Sequence, residues 1–392
     1  MHTLVITNDF PPTFGGIETF IAELVGRFPP DQVTVLASTR APFTPEETAR
    51  ADSSLPYQVV RHPDRTLWPT KKVAAFAAQV ARDVRADAIW FGAAAPFALM
   101  ARELTRRVEV GRTVATTYGH EVWWAAAPGA RQALRRIGDS VDVVTYLTDY
   151  TGRRIAGAFS PAARARMVKL CAGVAFPAAD AVRSPAAAAR ARAALALGDG
   201  PVVLCVSRLV PRKGQDRLIQ GWPKVAAAHP EARLVIAGTG PYEAKLRAMA
   251  AASPAADSIV LAGRVEDARL AELYAAASVF AMPCRSRLFN LEVEGLGIVY
   301  LEAQAAGVPA VAGDSGGAPD AVLEGKTGFV VDGRGWRPVT ARVAELLDDR
   351  ERAAAMGAAG REWVRQEWGW QGRYETLAAL LHPSPFPVRT GS

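Results

Sequence analysis

Thr3-Leu-Val-Ile-Thr7 runs directly into Asn8-Asp-Phe-Pro-Pro-Thr-Phe-Gly-Gly16, and a helical pattern follows over about 17–27. An uncharged apolar run bounded by turn residues reads as a short strand buried on both faces, the kind found in parallel sheets. Strand, Gly-rich loop, helix is how an α/β domain begins when it binds something at the carboxyl edge of its sheet. The dinucleotide fingerprint is missing, since no Gly-x-Gly-x-x-Gly occurs here, and Gly15-Gly16 alone fits a ligand-free turn as well.

The alternation continues outward from this start. Strands are expected over 32–37, 57–61, 88–91, 113–117 and 142–146, with helices over 70–85, 96–107, 129–138 and 150–159. The pattern weakens between 175 and 200, as a linker would. It restarts with strands over 201–206, 233–237, 259–261, 279–282, 308–312 and 329–331, interleaved with helices over 216–228, 243–251 and 270–277 and then helices to Leu381. Strands and helices trading places at this interval mean parallel sheets covered on both faces. A chain of 392 residues also exceeds what one core supports. The expected organisation is therefore two α/β domains, 1–175 and 176–368. A C-terminal helix in 369–392, rich in tryptophan at its start, would pack back toward the first domain, with a loose tail from His382.

The chain carries 46 Lys and Arg against 39 Asp and Glu, and the surplus sits in residues 1–175, which hold 21 basic and 16 acidic side chains. Clusters such as Lys71/Lys72, Arg102/Arg106/Arg107 and Arg131/Arg135/Arg136 suit peripheral contact with an anionic membrane, and solvated helix faces account for them equally well. Nothing calls for nucleic acid. The three cysteines show no paired metal-ligand spacing and fit packing thiols in a reducing cytoplasm. The longest apolar stretch, 88–101, is too short to span a bilayer and is interrupted by Gly92 and Pro96. A soluble cytoplasmic protein, at most touching the inner face of the membrane, is expected.

Three loops carry the chemistry. His120, in Tyr118-Gly-His-Glu-Val-Trp-Trp124, follows a strand end, where such sheets place functional groups. It is the one histidine of five with that address. Trp123 and Trp124 beside it would form an acceptor floor or simply pack. In the second domain, Ser207-Arg-Leu-Val-Pro-Arg-Lys-Gly-Gln-Asp216 places Arg208 and Lys213 just past a strand, where fixed cations can neutralise a diphosphate. The third stretch is Asn290-Leu-Glu-Val-Glu-Gly-Leu-Gly-Ile-Val-Tyr-Leu-Glu-Ala-Gln304, in which Glu294 and Glu302 stand eight residues apart. Read as helix, that spacing is a rise of about 12 Å. One carboxylate would then take sugar hydroxyls and the other ribose hydroxyls, with phosphates at the N–H groups between them. An ordinary helix with two solvated acids has the same spacing. No Asp-x-Asp triplet is present, which favours protein cations over a divalent ion as the diphosphate partner.

Taken together, Gly15-Gly16, Gly119-His120-Glu121, Ser207-Arg208 with Lys213-Gly214, Glu294-x7-Glu302 and Ser315-Gly-Gly-Ala-Pro319 resemble the family 4 retaining glycosyltransferases of the GT-B fold. Trp90-Phe-Gly-Ala-Ala-Ala-Pro96, Arg208-Leu-Val-Pro-Arg-Lys-Gly-Gln-Asp216 and Val293–Gln304 are similar in turn to the actinobacterial GDP-mannose-dependent phosphatidylinositol-mannoside α-mannosyltransferases. The resemblance implies two Rossmann-like domains facing a central cleft, and a metal-independent hexosyl transfer from a nucleotide sugar with no cofactor. It implies donor contacts from Gly16, Arg208, Lys213, Arg264, Glu294, Gly297, Ile298, Val299 and Glu302, and acceptor contacts from Asp9, Gly15, Tyr118 and Trp123. His120 would join Glu294, Arg208 and Lys213 at the reacting centre. The chain departs from that group at Leu170-Cys-Ala-Gly-Val-Ala175, which lacks a Pro and an Asp, at Tyr118, where a His is common, and in Arg285–Glu292, which lacks the expected glycines and Asp. A related transferase using another ADP-, UDP- or GDP-linked sugar on a soluble small-molecule acceptor is therefore the alternative.

Overall fold

Among the described residues, thirteen strands pair exclusively in parallel and form two separate sheets. The computed structural model describes residues 1–13, 15–39, 43–174, 184–288 and 292–382. The chain divides into two units, Met1–Gly173 joined by the segment from Trp370 onward, and Val174–Gly369.

The first unit holds β1 (Thr3–Thr7), β2 (Val33–Ser38), β3 (Gln58–His62), β4 (Ala88–Phe91), β5 (Arg112–Thr117), β6 (Val143–Tyr146) and β7 (Met167–Lys169), in the order β3-β2-β1-β4-β5-β6-β7. Every residue of β1, β2 and β4 is buried, as the uncharged runs require of strands covered on both faces. Trp90 of β4 donates its indole N–H to Thr116 Oγ1 of β5 at 2.9 Å, which satisfies a polar atom in a fully buried layer.

The second unit holds β8 (Val202–Val206), β9 (Arg233–Ala237), β10 (Ile259–Gly263), β11 (Val279–Met282), β12 (Ala310–Gly313) and β13 (Gly328–Val331), in the order β10-β9-β8-β11-β12-β13. In both sheets the strand order reverses once, between β1 and β4 and between β8 and β11. In sheets of this kind the loops leaving the strands at the reversal diverge to opposite faces, and ligands bind between them at the carboxyl edge.

Several boundaries differ from the sequence expectation. The first helix runs Gly16–Val25 and not 17–27, and the single helix expected over 96–107 is a 3-10 turn, Phe97–Met100, followed by a short helix, Ala101–Thr105. The unexpected helix Pro45–Ser53 has almost no apolar face, and a capping box starts it: Glu47 N–H donates to Thr44 Oγ1, and Thr44 N–H donates to Glu47. The first part of the expected linker, 175–183, and the tail 383–392 lie outside the described residues, as do Asn290 and Leu291. The described part of the linker includes the helix Pro185–Ala194, capped by Ser184.

The last helix, Trp370–Leu381, belongs to the first unit. Trp370 meets Phe20 edge-on with ring centroids 5.8 Å apart, Tyr374 meets Phe28 at 4.9 Å, and Arg112 of β5 donates to the carbonyl of Leu380 at 3.2 Å. Among the described residues no helix is long and apolar enough to cross a membrane.

Candidate functional site

In the second unit the candidate groups gather on the two loops at the strand-order reversal. The loop after β8 carries exposed Arg208 and, in a 3-10 turn Pro211–Lys213, the half-buried Arg212 and Lys213. The loop after β11 carries Arg285 and Glu294. The two loops are locked together by a buried bidentate pair, in which Arg285 donates to the two carboxylate oxygens of Asp216 at 2.8 and 2.9 Å. The Arg285 backbone N–H adds a bond to the carbonyl of Arg212 at 2.8 Å. Gln215, fully buried, donates to Ser207 Oγ at 2.8 Å and to the carbonyl of Arg208 at 3.1 Å, fixing the other end of the cationic loop.

Lys213 Nζ lies 2.7 Å from Glu294 Oε2, with the two side chains 12% and 8% exposed. The backbone of Glu294 is held in turn by the Ser315-Gly316-Gly317 turn. Its N–H donates to Ser315 Oγ at 3.2 Å, and its carbonyl accepts from Gly317 N–H at 2.9 Å. Gly316 has φ of 58°, and a Cβ there would run into the Glu294 carbonyl, so both backbone conformation and space demand glycine.

The interval from Glu294 to Glu302 is not a continuous helix. The helix is Ile298–Ala305, and its N-cap, Gly297, sits in the left-handed region at φ 79° and ψ 66°. A helix cannot pass through that conformation, so Glu294 stands on irregular backbone ahead of it and the expected rise of about 12 Å does not apply. The N–H groups at the start of this helix, including those of Ile298 and Val299, have no partner from a capping side chain. Glu302 lies one turn in, where its Oε2 accepts a 2.8 Å hydrogen bond from the hydroxyl of buried Tyr274. Burial, and then the neighbouring Glu302 charge, push the Tyr274 phenol well above its ordinary range. Arg264, past β10, is exposed and lines a cavity of about 380 Å³ with Ala191, Leu195, Glu266 and Leu273. The residues lining that cavity do not include Glu294, Glu302 or Lys213.

In the first unit, Asp9 and Gly15-Gly16 follow β1, and His120 follows β5. Asp9 N–H donates to Thr7 Oγ1 at 2.9 Å, and Gly15 and Gly16 are exposed, with Gly16 the first residue of its helix. His120 is the N-cap of a helix absent from the sequence expectation, Glu121–Ala126. Trp123 on that helix is 49% exposed and stands 5.7 Å from Trp124, ring centroid to ring centroid. Tyr118, expected at the acceptor, is buried. Its hydroxyl donates to the carbonyl of Gly92 at 2.7 Å and its ring meets Phe20 edge-on, so its side chain is spent on the fold. Among the described residues no group of three or more His, Cys, Asp and Glu side chains is arranged to hold a metal ion.

The family models agree with this division of the chain. "Glycosyltransferase Family 4" matches residues 14–174 and "Glycosyl transferases group 1" matches 189–363. The chain is 46% identical over 391 residues, 97% of both chains, to the GDP-mannose-dependent alpha-(1-6)-phosphatidylinositol monomannoside mannosyltransferase of Mycobacterium tuberculosis. The chain belongs to glycosyltransferase family 4.

A second relative of this glycosyltransferase is the GDP-mannose-dependent monoacylated alpha-(1-6)-phosphatidylinositol monomannoside mannosyltransferase of Corynebacterium glutamicum, 44% identical over 98% of each chain. Among solved structures, Anabaena HepE in complex with UDP superposes with a TM-score of 0.78 at 18% identity, covering 97% of this chain and 99% of its own. The architecture is thus the GT-B fold, two Rossmann-like parallel-sheet domains. What the motif reading of this glycosyltransferase did not include are the supports of its loops: Asp216 and Arg285, Gln215, and Tyr274. Asp216 sat within a quoted motif, but its partner is 69 residues away, and no local pattern links the two.

Proposed function

We propose that this glycosyltransferase moves α-mannose from GDP-mannose to a hydroxyl of a phosphatidylinositol mannoside, with retention at the anomeric carbon and no metal ion or cofactor. The observation that carries the reading is identity of 46% along essentially the whole of both chains to a relative so named. Arg208 and Lys213 take the diphosphate, assisted by the N–H groups of Gly297, Ile298 and Val299 and by Gly16. Glu302 takes the ribose hydroxyls, Glu294 the hexose hydroxyls, and Arg264 the side of the base. His120 contacts the transferred sugar and stabilises developing positive charge through its carbonyl or ring, while Asp9, Gly15 and Trp123 serve the acceptor.

Cleavage of the anomeric carbon–phosphate oxygen bond and formation of the bond to the acceptor oxygen occur on the same face, through an oxocarbenium-like state. The acceptor hydroxyl gives its proton to the departing phosphate oxygen. The catalytic weight falls on stabilising the diphosphate as charge builds there. Lys213 Nζ lies 2.7 Å from Glu294, which supports assigning the two side chains to the junction of sugar and diphosphate. The reaction takes place at the cytoplasmic face of the membrane, with the basic residues of the first unit toward the lipid.

Incubation of the enzyme with radiolabelled GDP-mannose, UDP-glucose and ADP-glucose tests this reading. Each donor is paired with phosphatidylinositol mannoside in vesicles and with a soluble inositol phosphate. Labelled lipid from GDP-mannose alone is expected; label in the soluble acceptor, or from another donor, overturns it.

A further inference from the structure

We infer that Glu121 is the positioning residue that fixes the ring tautomer of His120, holding the proton on Nε2 and leaving Nδ1 as a lone-pair acceptor. The inference rests on the reading that His120 meets the transferred sugar, but the proton's location stands on the geometry of the first unit alone.

Glu121 is fully buried, an uncommon place for a carboxylate without a dedicated partner. Its Oε2 accepts from the backbone N–H groups of Tyr118 and Gly119 at 3.1 and 3.2 Å. Its Oε1 makes no hydrogen bond, and this buried, negatively charged oxygen lies 3.2 Å from His120 Nε2. The second neighbour of Nε2 is the carbonyl oxygen of Ala95, at 3.4 Å. A carboxylate and a peptide carbonyl can only accept, so the nitrogen facing both must carry hydrogen. In the neutral ring the other nitrogen, Nδ1, is then unprotonated. His120 itself is 37% exposed, so a ligand can reach the ring while the atoms that orient it stay covered.

The same geometry fixes what Glu121→Gln does. The two backbone N–H groups at Oε2 require an acceptor, so the glutamine carbonyl takes that place and its NH2 turns toward His120. A donor then competes with the Ala95 carbonyl for Nε2, the buried charge that favoured a proton there is gone, and the neutral ring is expected to move its proton toward Nδ1. Side-chain volume and the two backbone bonds are unchanged, which isolates the tautomer from the fold.

The experiment is 15N NMR of the full-length enzyme labelled at its histidines, with the His120 resonances identified from His120→Ala. In the wild type at a pH where the ring is neutral, His120 is expected as the Nε2–H form. A protonated Nδ1 with a bare Nε2 in the unsubstituted enzyme overturns the inference without any variant. In Glu121→Gln the proton is expected on Nδ1, and kcat is expected to fall roughly 10–100-fold with the donor KM within about twofold. An unshifted tautomer, or an unshifted kcat alongside a shifted tautomer, removes Glu121 as a positioning residue. The spectra require no donor, so failure of the GDP-mannose reading would show in the transfer assay and leave the NMR result standing.

Discussion

Lys213 and Glu294 neutralise each other across 2.7 Å in a setting where both side chains are nearly covered. The ammonium is thereby held beside the carboxylate proposed for the hexose. Lys213→Ala removes that cation and leaves a covered carboxylate behind. We expect kcat to fall about 10²–10³-fold and stability to fall by about 3 kcal/mol, read from transfer assays and urea midpoints. Pairing Lys213→Met with Glu294→Gln should recover most of the stability and none of the turnover. Recovery of turnover in the double variant would show that the cation is structural only.

Tyr274 hands its hydroxyl hydrogen to Glu302 from a fully enclosed position. Tyr274→Phe removes that bond from the carboxylate proposed to take the ribose. A loss of about 1 kcal/mol in GDP affinity is expected, measured by calorimetry, with kcat at saturating donor close to normal. Glu302→Ala should weaken GDP further. Unchanged affinity in both variants would detach Glu302 from the nucleotide.

Arg285 and Asp216 tie the loops after β8 and β11 by two bonds between side chains that are 9% and 8% exposed. Arg285→Ala leaves Asp216 charged and covered, at an expected cost of about 3–5 kcal/mol. Arg285→Lys keeps the charge and loses the fork, so it should fold but raise the donor KM as the Arg208–Lys213 loop loosens. A donor KM equal to wild type in a folded Arg285→Lys enzyme would argue against any positioning by this pair.

Alkaline pH should weaken the fold in a defined window. Burial, with the Asp52 charge adding to it, raises the Tyr57 phenol from 10.0 to about 12. Burial likewise raises the Cys205 and Cys284 thiols from 9.0 to about 12. These groups stay protonated in the native state while the unfolded chain ionises near the ordinary values, so the unfolded state binds fewer protons and stability falls as pH rises. The contribution is intact below about pH 9 and is lost progressively up to about pH 12. Urea midpoints at pH 8 and 10.5 should show a clear drop, and Cys205 and Cys284 should resist a thiol reagent at pH 8 until urea is added.

The parts of this fold legible in the sequence are those in which one local pattern decides the outcome. Strands such as Thr3–Thr7 and Ala88–Phe91 are covered on both faces, so an uninterrupted apolar run suffices. The candidate loops were legible because parallel sheets deliver their carboxyl ends to one edge, which gave His120, Arg208 and Lys213 an address. The path from Glu294 to Glu302 was misread, since spacing alone cannot tell helix from the irregular backbone that Gly297 introduces. The helix Glu121–Ala126 was missed for want of a capping side chain, and the tie between Arg285 and Asp216 because the partners are distant in sequence. The burial of the Tyr118 side chain was not legible, because its contacts come from Gly92 and Phe20 on other elements.

The assignment of Trp370–Leu381 to the first unit has a consequence for how the enzyme is made. Emerging from the ribosome, residues up to Gly173 lack the helix that covers Phe20 and Phe28, and that helix is translated only after the whole of Val174–Gly369. The unit synthesised second is the contiguous one and can complete itself first, while its elder waits, partly open, for the segment from Trp370 onward. A nascent chain arrested before Trp370 should therefore present a protease-resistant later half beside a vulnerable earlier one.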